Sequence, residues 1–132
     1  MSIFLDTFGL YAVFDKDDSN HSVAAASWSE WLRNGETLLT NNYVLLETLA
    51  LLQHRLGIAA VRAFHENVTP VLHIEWISTA RNEAAVEAML AASRRKLSVV
   101  DCASFQTMRH HGLRAVFTFD QHFREQGFQV LP

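Results

Sequence analysis

Ser2-Ile3-Phe4-Leu5-Asp6-Thr7-Phe8-Gly9-Leu10-Tyr11-Ala12-Val13-Phe14 begins with a short apolar run, reaches an aspartate, and continues with apolar residues at helical spacing. Ser2 to Leu5 reads as a buried strand, and Thr7 to Phe14 as a short helix carrying Leu10, Tyr11, Val13 and Phe14. The same order of run, aspartate and helix returns twice. Leu97-Ser98-Val99-Val100 precedes Asp101 and a helix reaching His110, and Ala115-Val116-Phe117-Thr118-Phe119 precedes Asp120 and a short helix over Gln121 to Gln126. Parallel pairing of these runs would put their aspartates on one edge of one sheet, where open α/β folds place their chemistry.

The segments between fit that reading. Asp15 to Asn20 is a polar loop, and Val23, Ala24, Trp28, Trp31 and Leu32 recur at helical spacing from His21 to Arg33, before Asn34-Gly35 as a stop. Glu36 to Thr40 is a second strand, and Asn41 or Asn42 can cap the long helix that runs to Leu56 before Gly57. Ile58 to Asn67 is a further helix, Val71 to Ile74 a third strand, and Ser78 can cap a helix through Arg94. Phe128 to Leu131 is a last strand. Strands and helices alternate almost throughout, which predicts an α/β fold with a parallel sheet wrapped by helices.

Bulk properties bound the function. The 132 residues suffice for one compact domain and a real core but not for two domains of ordinary size. At 49% hydrophobic and 19% charged residues, the composition is that of a water-soluble globular protein. No apolar stretch is long enough to span a bilayer, and the N-terminus lacks the pattern of a signal peptide, so the expected compartment is the cytoplasm. The lone cysteine, Cys102, agrees with a reducing environment. A net charge of −3 excludes a global basic field, so binding of a polyanion would need a local patch or a metal.

Taken singly, Asp6, Asp101 and Asp120 are ordinary helix caps or first-turn residues. Glu47 is different, because its helical neighbours Tyr43, Val44, Ala50 and Leu51 include no cation, and it calls for a polar partner elsewhere or a metal. Jointly, four converging carboxylates repel, and their pKa values rise unless cations neutralise them. Mg²⁺ or Mn²⁺ suits an all-carboxylate site with open water positions, whereas the lack of a Cys/His set argues against structural zinc. Phosphodiester hydrolysis is the chemistry best served by such a cluster.

The blocks Phe4-Leu5-Asp6-Thr7, Thr40-Asn41-Asn42-Tyr43-Val44-Leu45-Leu46-Glu47-Thr48, Ser98-Val99-Val100-Asp101-Cys102-Ala103-Ser104-Phe105 and Thr118-Phe119-Asp120-Gln121-His122-Phe123 resemble, in order and spacing, the motifs of PIN-domain proteins, specifically the small VapC-like toxins. The resemblance covers essentially the whole chain. It implies a single PIN domain over residues 1–132 with a central parallel sheet of four to five strands flanked by helices. It further implies a metal site of Asp6, Glu47, Asp101 and Asp120 binding Mg²⁺ or Mn²⁺, and cleavage of RNA by in-line attack of an activated water. The implied partners are the RNA substrate, a cognate antitoxin protein and a second copy in a homodimer, with no membrane involved. One position departs from the family pattern: Phe8 stands where a small hydroxyl residue is usual, with Thr7 the neighbouring hydroxyl. That departure keeps open an alternative, a catalytically impaired PIN-fold module for RNA binding or protein interaction. A phosphotransferase using Asp6 as nucleophile is a weaker rival, since it wants a second aspartate where Phe8 stands.

Other polar residues read more plainly. Arg94-Arg95-Lys96 is expected to be a solvated basic turn at the strand-entry end of the sheet, with Arg109, Arg114 and Arg124 as alternative phosphate contacts. Trp28 and Trp31 are expected in the core or an interface, Cys102 as a buried small residue, and His122 on a helix surface.

Overall fold

The computed structural model describes every residue from Met1 to Pro132. Five strands, β1 (Ser2–Leu5), β2 (Thr37–Asn41), β3 (His73–Glu75), β4 (Ala115–Phe117) and β5 (Gln129–Leu131), form one sheet in the order β3-β2-β1-β4-β5. Every neighbouring pair is parallel. The connections are helical: α1 (Thr7–Phe14) and α2 (His21–Arg33), α3 (Asn42–Leu56) and α4 (Ile58–Asn67), α5 (Thr79–Ala92) and α6 (Val99–His110), and the short α7 (His122–Glu125). From β1 the chain steps outward to β2 and β3, then returns to the other side of β1 to lay down β4 and β5. The order therefore reverses between β1 and β4, and the carboxyl ends of those two strands frame the crevice where open α/β sheets bind ligands.

The central strands are buried on both faces, as a parallel sheet covered by helices requires. Ile3, Phe4, Leu5, Val116 and Phe117 are fully buried, and Trp28 and Trp31 join the same core. Trp31 packs edge-on to Phe117 with ring centroids 4.9 Å apart, and Phe105 does the same to Phe123 at 5.0 Å. Gly9 allows α1 to lie directly on β4, because a Cβ there would sit 2.5 Å from the Phe117 carbonyl oxygen.

Three sequence expectations are corrected. Leu97 to Val100 is not a strand: Leu97 is buried in a loop, Ser98 is the N-cap of α6, and the two valines begin the helix. The reason is local, since the Ser98 hydroxyl accepts from the Asp101 amide at 3.1 Å while the Asp101 carboxylate accepts from the Ser98 amide at 3.0 Å. This reciprocal capping outweighs the β preference of two valines. The third strand starts later than expected, at His73, because Thr69–Val71 with Pro70 forms a 3₁₀ turn. The helix capped by Ser78 ends at Ala92, where Ser93 turns left-handed at φ 51°, before Arg94.

Candidate metal centre

Asp6 leaves the end of β1 just before α1 and is 3% exposed. Its amide donates to the Phe117 carbonyl at 3.1 Å, tying it to the neighbouring strand. It makes no side-chain cap to its own helix; its carboxylate instead accepts from the Thr118 hydroxyl at 2.7 Å. The Thr118 oxygen in turn accepts from the Asp120 amide at 3.0 Å, so one buried hydroxyl links the two aspartates across the β1–β4 crevice. Burial pushes the Asp6 pKa from 3.8 to about 7; hydrogen bonds from Thr118 and the Thr7 backbone act against that rise, and the charges of Asp101 and Asp120 add to it.

Asp101 reaches this crevice from the first turn of α6, not from a strand end, so only two of the three aspartates follow strands of the sheet. Burial raises its pKa and repulsion from Asp120 adds to the rise, while Ser98 and His122 oppose it. Asp120 follows β4, and its carboxylate accepts from the His122 amide at 2.9 Å. The His122 ring, expected on a helix surface, turns inward: Nδ1 lies 3.1 Å from Asp120 and 3.7 Å from Asp101. Ligand-capable atoms of Asp101, Asp120 and His122 all fall within 4.8 Å of one another.

Glu47 sits outside that trio on α3, yet it shares a cleft with Asp101 and Asp120. It lies on an exposed face of its helix, beside exposed Leu46 and Ala50, so its apolar neighbours do not bury it. Partial burial still raises its pKa; the Thr7 hydroxyl works against this, and the charges of Asp101 and Asp120 add to it. Asp6 and Glu47 thus each feel the charges of Asp101 and Asp120, and Asp101 feels that of Asp120.

Behind them lies a buried polar layer that the sequence reading did not identify beyond a helix cap. Asn41 caps α3 by accepting from the Val44 amide at 2.9 Å, and its amide group donates to Thr107 on α6 at 3.2 Å. Thr48 donates to Thr7 at 3.3 Å. These contacts join the helices bearing Glu47 and Asp101 to the end of the sheet, and fully satisfied buried networks of this kind rigidify what they support.

The basic turn also falls elsewhere than expected. Without a strand at Leu97, it leads straight into the start of α6, and Lys96 lines the cleft with Glu47, Asp101 and Asp120. Arg55 lines it too, its guanidinium 5.3 Å above the Tyr11 ring. Arg94 pairs with Glu125 at 2.9 Å, and Arg109 stacks on Phe128, so neither lines this cleft. The one signal that could have found Lys96 is the Ser98-to-Asp101 spacing, which marks a helix start and so brings the preceding turn to the carboxylates. The donor set fits a hard divalent cation: oxygen ligands dominate, and three carboxyl groups are biased toward protonation when no cation is bound.

The fold and this acidic crevice define a class, and the PIN-domain model matches residues 3–129: the chain belongs to the PIN-domain family. Within it, the chain is 33% identical over 132 residues to the 23S rRNA-specific endonuclease VapC20 of Mycobacterium tuberculosis, strains CDC 1551 / Oshkosh and H37Rv, with 98% of each chain covered. The crystal structure of M. tuberculosis VapC20, described as a sarcin-ricin loop cleaving toxin, superposes with a TM-score of 0.86 at 32% identity, covering 98% of this chain and 99% of that one. FitAcB from Neisseria gonorrhoeae shares the fold, with a TM-score of 0.69 at 14% identity over 100% of this chain and 97% of its own.

Proposed function

We propose that this chain is a Mg²⁺- or Mn²⁺-dependent endoribonuclease and the toxin of a toxin–antitoxin pair, with a hairpin of 23S rRNA as its substrate class and the cytoplasm as its place of action. The observation that carries the reading is the crevice itself: Asp6, Glu47, Asp101 and Asp120 converge beside Lys96 at the reversal of strand order. The similarity to VapC20 along nearly the full length of both chains supports the RNA class.

In this reading Asp101 and Asp120 are the principal ligands, Asp6 completes the site from below and Glu47 from across the cleft. These residues would hold a divalent cation, which would supply the positive charge needed to activate water near neutral pH and to steady the leaving oxygen. Thr118 orients Asp6, and the Ser98 cap fixes Asp101. His122 hydrogen-bonds to Asp120 through Nδ1, which limits the rotation of that carboxylate. Lys96 attracts the phosphate to a cleft that would otherwise repel it. The apolar strip of exposed Leu46 and Ala50 with half-buried Val99 and Val100 beside Glu47 suits an antitoxin segment that blocks the cleft, and a homodimer completes the proposed assembly.

The test is cleavage of a sarcin–ricin loop hairpin with Mg²⁺, Mn²⁺ or EDTA. Metal-dependent cutting at a single position is expected, reduced by about a hundredfold or more in Asp101→Asn. Undiminished cutting in EDTA, or by Asp101→Asn, would remove the proposed mechanism.

A further inference from the structure

Phe8 follows two buried residues, Asp6 and Thr7, yet is itself 47% exposed. It lies in the first turn of α1, whose buried apolar residues Leu10, Tyr11 and Ala12 enter the core. Its ring lines two open clefts, of about 500 and 550 Å³, which meet at Phe8, Lys96 and Asp120. In the first cleft a second aromatic, Phe119, stands with it, held edge-on to Phe117 at 6.1 Å. Asn20 and Gln121 line the same cleft, together with Asp18 and His122. The half-exposed ring opens onto both clefts beside Lys96 and Asp120, and unpaired nucleobases stack on such rings when the flanking backbone is held by a cation.

We propose that Phe8 and Phe119 form a subsite that takes one unpaired nucleobase next to the phosphate to be cut. Lys96 holds the adjoining phosphate, and Asn20 and Gln121 face the base edge. This rests on the reading of the chain as a nuclease and adds the feature of the substrate that it recognises: an unstacked base, not a paired helix. The exposure of Phe8 belongs to substrate capture, and its place beside Asp6 puts the recognised base one step from the reacting group.

The experiment uses the sarcin–ricin loop hairpin and derivatives lacking one loop base at a time. Binding is measured in an Asp6→Asn background and cleavage in the otherwise native chain, each with Phe8, Phe8→Ala, Phe8→Leu and Phe8→Trp. Phe8→Ala and Phe8→Leu are expected to weaken binding by about 5- to 150-fold, the range of one base–aromatic stack, while Phe8→Trp retains it. Deleting one particular base should cost the Phe8 protein a similar factor and cost Phe8→Ala almost nothing more. Full affinity in Phe8→Leu, or equal base-deletion losses in both backgrounds, would overturn the subsite. If the hairpin is cut without dependence on Phe8, the subsite fails and the nuclease stands. If the hairpin is bound through Phe8 but never cut, the nuclease reading fails and the subsite stands. Absence of any binding overturns both.

Discussion

Asp6→Asn should stabilise the metal-free protein while destroying its site. The Asp6 carboxyl has an ordinary pKa of 3.8 and is raised to about 7 by burial in the folded chain. That gap corresponds to about 4 kcal/mol of bias against the ionised form of this buried group. The sign follows from proton counting. Between 3.8 and about 7 the folded state binds a proton that the unfolded state has released, so stability falls as pH rises through this window and the full penalty stands above it. Glu47 and Asp101 shift in the same direction and add to the slope.

Urea unfolding in EDTA from pH 5 to pH 8 reads this directly. The native chain should lose about 3 kcal/mol across that range from Asp6 alone. Asn keeps the shape and can still accept from Thr118, so the variant should show a flatter profile and exceed the native chain in stability at pH 8. Addition of Mg²⁺ at pH 8 should restore much of the native chain's loss and do little for the variant, since binding to the folded state alone stabilises it. Parallel pH profiles for the two proteins would refute the claim that a buried, unneutralised Asp6 strains the empty site.

Two structural predictions accompany it. Ser98→Ala removes the hydroxyl of the α6 capping box and should cost about 1 kcal/mol, seen as a fall of a few degrees in melting temperature, together with weaker Mg²⁺ binding as Asp101 loosens. An unchanged melting temperature would mean the cap contributes nothing. Gly9→Ala places a Cβ 2.5 Å from the Phe117 carbonyl oxygen and 2.8 Å from its ring, so α1 must lift from β4. Overpacking of about 1–3 kcal/mol should exceed the helix-propensity gain of alanine, and chemical denaturation should show a net loss.

The strand–aspartate–helix pattern made the parallel sheet legible because each strand is a short apolar run bounded by a polar residue, as at Phe4-Leu5-Asp6. The long helices were equally plain from the spacing of Trp28 and Trp31 and from the Asn41 cap. Leu97 to Val100 misled because β-branched composition is a weak prior, and a single serine–aspartate pair three residues apart overrides it. The error moved Lys96 to the wrong end of the molecule, while the inward turn of His122 rests on its contacts with Asp120 and Asp101, which local sequence does not reveal. Thr118 was out of reach for another reason: nothing in Val116-Phe117-Thr118-Phe119 reveals that its hydroxyl faces a residue 112 positions away.

The places where local rules fail coincide with the crevice. A helix cap that does not cap its own helix, a half-exposed phenyl ring and a threonine buried between the Asp6 carboxylate and the Asp120 amide all lie within the same few residues of β1, β4 and α1. Each costs stability in isolation, and a sequence shaped for stability alone would replace Asp6 with an uncharged residue and Phe8 with a polar one. Their cost is offset by a satisfied polar layer beneath, in which Asn41, Thr48 and Thr107 find partners, and by a sheet buried on both faces. The strain is therefore confined to the rim of a rigid platform. Such an arrangement would hold the repelling carboxylates close together in the metal-free protein, as the proposed cation site requires.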